Sequence, residues 1–463
     1  MVKQQDTHKK SEHVSGLREK VETMPFAQVD LAPLVFFRVV FGGIMLWEVM
    51  RYFHHDWIKR YYIDPDFFFT FYGFDWVQPW FGNWMYVHFL GLGICSAFIM
   101  LGLWYRISAI LFFIGFTQVF LIDQTNYLNH FYLVSLIAFI MIFVPAHRAA
   151  SLDVVRRPEI QVGTGPAWYL WLLRVQVGIP YFLGGIAKIN GDWLRGEPMR
   201  MWLADETDFP VIGGWLTHEL APYVFSYGGL LFDLGIVPLL LWRRTRVLAF
   251  LAAVGFHLVN DQLFSIGIFP WFMMGASALF FEPHQFIGFR RRVEQVLSKT
   301  IKYTQVSIRH SDRKRRVIVN VLAVYLCFQV LMPLRHWLYP GNVSWTEEGH
   351  NFSWHMKLRD KKGEVDVVVT DPSSGKSWVV DQRDYLMSRQ RDKMPDRPDM
   401  ILMFCHFLED ELRGEGYGDV QIRAVSRVSL NGRAPQSLVD STVDLTRVER
   451  SLMPAGWIVP LAD

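Results

Sequence analysis

Stretches of about twenty apolar residues, nearly free of charge, recur through the first three quarters of this 463-residue chain. A helix of that length spans the hydrocarbon core of a bilayer, about 30 Å at 1.5 Å per residue. The candidate spans are 31–52, 84–104, 107–125, 130–146, 166–188, 224–242, 246–262, 264–282 and 316–337, about nine, with the weakest boundaries at the polar joins 123–130 and 260–265. Segments 66–82 and 194–222 are aromatic and amphipathic but too interrupted to cross. They are predicted to lie at, or re-enter, the interface, with Trp76, Trp80, Trp84, Trp193 and Trp202 at headgroup level. No comparable run follows residue 338. The chain is therefore read as a polytopic α-helical membrane protein with a C-terminal, β-rich α+β domain outside the membrane: a cytoplasmic tail (1–30), a membrane body (31–338) and a soluble domain (339–463). A composition of 51% hydrophobic and 20% charged residues is more apolar than a soluble chain of this length usually shows.

The net charge of +3 says less than its placement. The tail carries Lys9, Lys10, Arg18 and Lys20 and lacks the short apolar core and cleavage site of a signal peptide. With that tail inside, every second join is basic: Arg106; Arg148, Arg156 and Arg157; Arg243, Arg244 and Arg246; and the run from Arg290 to Arg316. This phase follows the positive-inside bias, although Lys59, Arg60, Arg195 and Arg200 fall in outside joins. It sends the C-terminal domain to the periplasm or a lumen, in a bacterial inner membrane or, in a eukaryote, the endoplasmic reticulum. Beside lipid, the basic run reads as an orientation signal, and no nucleic-acid partner is expected.

In the soluble part, Val365–Thr370 alternates as a strand, 371–376 reads as a turn, and Trp378–Val380 as a second strand. Residues 396–413 have helical periodicity, and Val420–Leu430 is a strand ending at the turn pair Asn431-Gly432. Three cysteines (Cys95, Cys327, Cys405) make no disulfide framework. No metal is expected: the body's histidines lack metal-ligand spacing, and the isolated pairs Glu347/His350 and His406/Glu409 are of a kind that arises by chance.

Ionisable groups inside spans usually have a partner or a function. Three segments deliver such groups to the face expected outside: Asp123 to His130 with Asn129; Lys188 after Tyr181–Ala187; and His257, Asn260, Asp261 and Gln262. Desolvation disfavours an ammonium, so a lysine at an apolar pocket is readily the neutral amine that accepts a proton from an acidic ligand. Gly184 and Gly185, one turn earlier, admit either a flat ligand or a neighbouring helix. Each group also has a plain structural reading. Lys188 can snorkel, His257 can be a satisfied bundle histidine, His130 a loop residue, and Asp123 a helix-pairing carboxylate. Asp233, Arg38 and Arg174 are expected in buried pairs.

Tyr181–Trp193 with Gly196, Phe256–Phe269 and Leu121–Tyr132, with Phe352–Met356 and Val443–Leu461 in the soluble part, are similar to blocks of the vitamin K-dependent γ-glutamyl carboxylases and of the bacterial membrane proteins that share their HTTM domain. The resemblance implies an enzyme in which a lysine, here Lys188, deprotonates reduced vitamin K. Oxygen then converts the hydroquinone anion into a strong base that takes a glutamate γ-proton, CO2 adds to the carbanion, and the quinone leaves as its epoxide. It further implies reduced vitamin K, O2 and CO2 as co-substrates and a glutamate-containing peptide or protein as partner. Lys188, His130 and His257 take catalytic positions, and Asn129, Asp123, Asn260 and Gln262 cofactor contacts. Asn190-Gly191 replaces a more acidic pair of the family, and the vertebrate enzymes carry additional lumenal sequence beyond the point that matches residue 463. Two other readings compete. One is a quinone epoxidase that does not carboxylate peptide; the other is a non-catalytic transporter or scaffold, against which stand the absence of an inverted repeat and the clustering of polar groups at one face.

Overall fold

The structure, a computed structural model, describes residues 24–209, 213–297, 308 and 310–462. Most of the basic tail, with Lys299, Lys302 and Arg309, lies outside the described residues.

Helices form at each predicted run: α1 (Ala32–His54), α2 (Trp84–Leu101), α3 (Tyr105–Ile122), α4 (Asn129–Phe143), α5 (Trp168–Ala187), α6 (Ala221–Leu241), α7 (Arg246–Phe264), α8 (Phe269–Ser277) and α9 (Asp312–Leu334). Among the described residues, seven are long and apolar enough to cross a membrane. The other two are short: α4 has 15 residues, a rise of about 22 Å, and α8 has 9, continued by a 3-10 turn to Phe280.

The joins collect at two opposite ends. At one, Arg38 donates to the carbonyls of Ala146 (2.8 Å) and Ala150 (2.6 Å), and Asp153 accepts the backbone N–H of Trp104 at 2.9 Å. There β1 (Gln28–Asp30) pairs antiparallel with β2 (Thr164–Pro166), and Arg246 meets Glu282 at 2.9 Å. At the other, the joins after α1, α3 and α5 meet the C-terminal domain. The basic joins of the sequence thus share an end, as their phase predicts, remote from that domain. The expected buried pairs differ in kind: Arg38 and Arg174 donate to backbone carbonyls, the latter to those of Leu279 and Phe281, whereas Asp233 takes a lysine.

Small residues set the helix spacing. A β-carbon on Gly42 would come within 2.5 Å of the Met100 nitrogen, which fixes the close approach of α1 and α2, and one on Gly185 within 2.7 Å of Leu234, which fixes α5 against α6. Gly185 is therefore a helix-packing glycine. Outward, α6, α7 and α9 present Leu231, Leu248, Leu251 and Val324, the surface of a membrane protein.

The C-terminal domain is an antiparallel sheet, in the order β4-β3-β5, of β3 (Lys361–Asp371), β4 (Lys376–Val379) and β5 (Gln421–Leu430). It is covered by α10 (Pro398–Gly414). Val365, Val367 and Val369 point inward at the strand period of two, onto Ile401, Phe404, Cys405 and Leu408 of α10. The β3–β4 turn is held by Asp371, whose carboxylate accepts from Ser373 and Ser374. Asn431 and Gly432 after β5 both have positive φ (51° and 76°), which Asn-Gly tolerates best. The sheet is smaller than a strand-rich domain suggests, because 431–462 adds only isolated bridges at Gln436 and Ile458.

Two interfacial expectations change. Residues 67–70 are not at a membrane surface: Phe67 stacks on Phe407 at 4.4 Å, Gln390 donates to its carbonyl, and Arg450 donates to that of Thr70. This segment is a strap joining body to domain, while Trp76, Trp80 and Trp84 beyond it are exposed. Trp193 is buried, because its indole N–H reaches the carbonyl of Ser226 at 2.7 Å and leaves no polar edge needing water.

Candidate active site

Tyr181 and Lys188 lie seven residues apart on α5 and just past its end, two helical turns and so on one face. Lys188 follows Ala187 at the carbonyl-rich end of the helix, where a cation is favoured. The tight α5–α6 contact brings it to Asp233, with Nζ to Oδ2 at 2.6 Å. Both side chains are buried, 8% and 7% exposed, which makes this an ion pair within the bundle rather than a snorkelling lysine. Its ammonium also lies 5.4 Å from the ring centre of Trp193. On α7, His257 meets the Tyr181 hydroxyl through Nε2 at 2.6 Å, and its Nδ1 is buried with no partner among the described residues.

These groups line a cavity of about 360 Å³ between α5, α6, α7 and α8. Its wall is aromatic, with Phe225, Phe232, Phe256, Phe264 and Phe269, and Phe232 and Phe256 stack at 3.8 Å. Asn260, one turn on from His257, also lines it.

The C-terminal domain closes one side with the segment 352–357, which supplies Met356 and Lys357 to the wall. Phe352, Trp354 and Lys357 all have positive φ (65°, 60°, 49°), a conformation that non-glycine residues adopt at a cost of about 1–3 kcal/mol each. Anchoring outweighs that cost: Trp354 is buried and stacks on Tyr132 at 4.9 Å, and the backbone N–H of Phe352 donates to the Tyr127 hydroxyl at 2.7 Å. The join is strengthened by Asp192, just past Lys188, whose carboxylate receives Arg433 at 2.7 and 2.8 Å and Asn431 at 2.8 Å. Those contacts hold Asp192 below the usual carboxylate range.

Of the seven residues given catalytic or cofactor positions in the sequence, Lys188, His257 and Asn260 share the cavity, and four others lie outside its lining. His130 sits one layer behind, its ring stacked on the wall residue Phe269 at 5.5 Å. Asn129 donates to the carbonyl of His355 at 3.2 Å and accepts from Tyr127, so it holds the 352–357 segment. Asp123 is buried at the strap, where it accepts the Thr125 N–H at 2.7 Å and faces Gln390 at 3.4 Å; burial raises its pKa to about 6. Gln262 is exposed, five residues from His257 and so well off its face of α7. Tyr181 is the site residue sequence reasoning passed over, although its seven-residue spacing from Lys188 was a usable signal. Lys357 carried none, because the chain reaches the site there from another domain.

A family model for the HTTM domain matches residues 26–284, more than half of the chain. A second, for the lumenal domain of vitamin K-dependent gamma-carboxylase, matches 314–463 and takes in α9. No solved structure matches the chain. The chain belongs to the HTTM-domain membrane proteins of the vitamin K-dependent gamma-carboxylase family.

Proposed function

We propose that the protein carboxylates glutamate side chains of a peptide or protein at the γ-carbon, driven by oxygenation of reduced vitamin K. The observation that carries this reading is the Lys188–Asp233 pair in the wall of an aromatic cavity. The cavity suits a flat quinol: its volume falls in the range of small-molecule sites, about 300–1,000 Å³, and the unpartnered His257 Nδ1 is a polar atom awaiting a ligand oxygen. When bound, reduced vitamin K supplies, with O2, the strong base that the glutamate γ-carbon requires.

The protein's own groups divide the remaining work. Lys188 can pass an ammonium proton to Asp233 across their 2.6 Å contact, which leaves a neutral Nζ to accept a hydroxyl proton. Asp233 thus gives the base a route that desolvation alone does not. If Tyr181 donates to Nε2 of His257, the ring hydrogen sits on Nδ1, where it can donate to an oxygen that gains charge. The phenylalanine wall keeps water from a carbanion. The cavity mouth and C-terminal domain are placed on the periplasmic or lumenal side, and a reporter fused after Asp463 that reads out in the cytoplasm contradicts that placement.

The test supplies full-length protein in detergent with reduced vitamin K, O2, labelled bicarbonate and a glutamate-rich peptide. Label in the peptide, lost in Lys188→Ala, is the expected result. Epoxide without label favours the epoxidase reading. Neither product from folded, quinone-binding protein overturns the proposal.

A further inference from the structure

Two ammonium groups line the cavity, and they differ in pairing and in exposure. Lys188 is neutralised by Asp233 at 2.6 Å. Lys357 makes neither hydrogen bond nor ion pair among the described residues; its nearby acid, Asp360, is engaged by Lys362 at 3.4 Å. The charge of Lys188 and Asp233 cancels, so the wall carries one uncompensated positive group.

That group is held in place. Its Nζ lies 4.8 Å from the ring centre of Phe264 and 5.5 Å from that of Trp202, so two aromatic faces orient it. Its backbone is in the left-handed region at φ 49°, and the preceding segment is pinned by buried Trp354. A strained conformation maintained by its surroundings is a mark of a functional position. Unlike buried Lys188, Lys357 is exposed to solvent at the rim, on the side closed by the C-terminal domain.

We propose that Lys357 is a carboxylate-binding residue that recognises the side chain of the substrate glutamate at the cavity mouth. This inference rests on the carboxylase reading for the identity of the ligand. Carbon dioxide is uncharged and gains nothing from a cation. A glutamate side chain brings one negative charge on a flexible arm, matches the single unpaired ammonium, and leaves its peptide backbone outside. An ammonium also discriminates: glutamine has nearly the same shape and no charge to offer.

The test is a binding measurement, independent of turnover. A fluorescent glutamate-rich peptide and its counterpart with glutamine at every glutamate are titrated against the full chain in detergent. The wild type is expected to prefer the glutamate peptide by about tenfold or more, and the preference should weaken as salt rises. Lys357→Gln and Lys357→Met should each abolish the preference, and Lys357→Arg should keep it, with all three melting near the wild-type temperature. If the neutral variants fold poorly, the wild type still tests the proposal, because no glutamate preference, or one unmoved by salt, overturns it. A wild type with no preference, or a folded Lys357→Gln that retains it, overturns the proposal. A chain that shows the Lys357-dependent preference yet never labels the peptide leaves this site standing and removes the carboxylase reading.

Discussion

The membrane body and the C-terminal domain arrange polarity in opposite ways. In the domain, Glu364, Asp366 and Arg427 face outward, Glu364 sits directly across from Arg427, and the valines between turn in. In the body, Leu231, Leu248 and Val324 face outward, and the charges that matter, Lys188 and Asp233, are inside. In both, apolar groups are kept from water, by a core in the domain and by lipid around the body, where close packing at residues such as Gly42 and Gly185 joins the helices. Where the outside is hydrocarbon, a charge is tolerated only where another group meets it. The candidate site lies where the two regimes touch, so its buried lysine comes from one and its exposed lysine from the other.

The largest effect should come from breaking the inverted arrangement. Asp233→Leu strands the buried Lys188 ammonium and should cost about 3–5 kcal/mol, whereas Lys188→Met with Asp233→Leu should be near neutral. Thermal unfolding in detergent of both variants measures the difference; equal losses would mean that the pair is not coupled.

Next is one change made on both surfaces. Leu231 and Val425 are both exposed, at 68% and 44%. Leu231→Lys should cost about 2.5–3.5 kcal/mol of membrane insertion, and Val425→Lys, which lies directly across from Asp366, should stay within about 0.5 kcal/mol in domain stability. Similar losses at both sites would contradict the reading of α6 as lipid-facing.

The domain side of the junction should be acid-sensitive. Burial pushes His355 down to about 3 and His350 well below its ordinary value of 6.5. Both are neutral when folded, so the stability they contribute is complete above pH 6.5 and is lost as the pH falls toward 3. His355 alone should account for a loss of about 2 kcal/mol by pH 5. Denaturant midpoints at pH 7.5 and 5 should lie closer together in His355→Gln, and closer still when His350→Gln is added. At the junction the smaller loss is expected from Arg433→Ala, about 1 kcal/mol, because Arg433 is partly exposed and Asn431 still holds Asp192.

The helices of the body were legible because apolar length and span periodicity are local signals, and Lys188 and His257 stood out as ionisable groups in apolar runs. The limits of that reading are physical. Asp123 and Gln262 looked like neighbours of the site in the chain, but only the fold shows that one packs at the strap and the other faces away. Asn129 was read as a ligand contact and instead holds a loop 226 residues away in the chain. Trp193 was assigned to the interface by residue type, and a single carbonyl, Ser226, turned it inward. Lys357 needed the packing of two domains, which no local pattern encodes.

The central claim is that the Lys188 amine accepts the proton that starts the chemistry. The most direct measurement is epoxide formation from reduced vitamin K by wild type and Lys188→Ala, with quinone binding followed in both. The account predicts unchanged binding and a fall of about 10²–10⁴-fold in epoxide, the range for loss of a general base. Epoxide at the wild-type rate from a folded Lys188→Ala would contradict it.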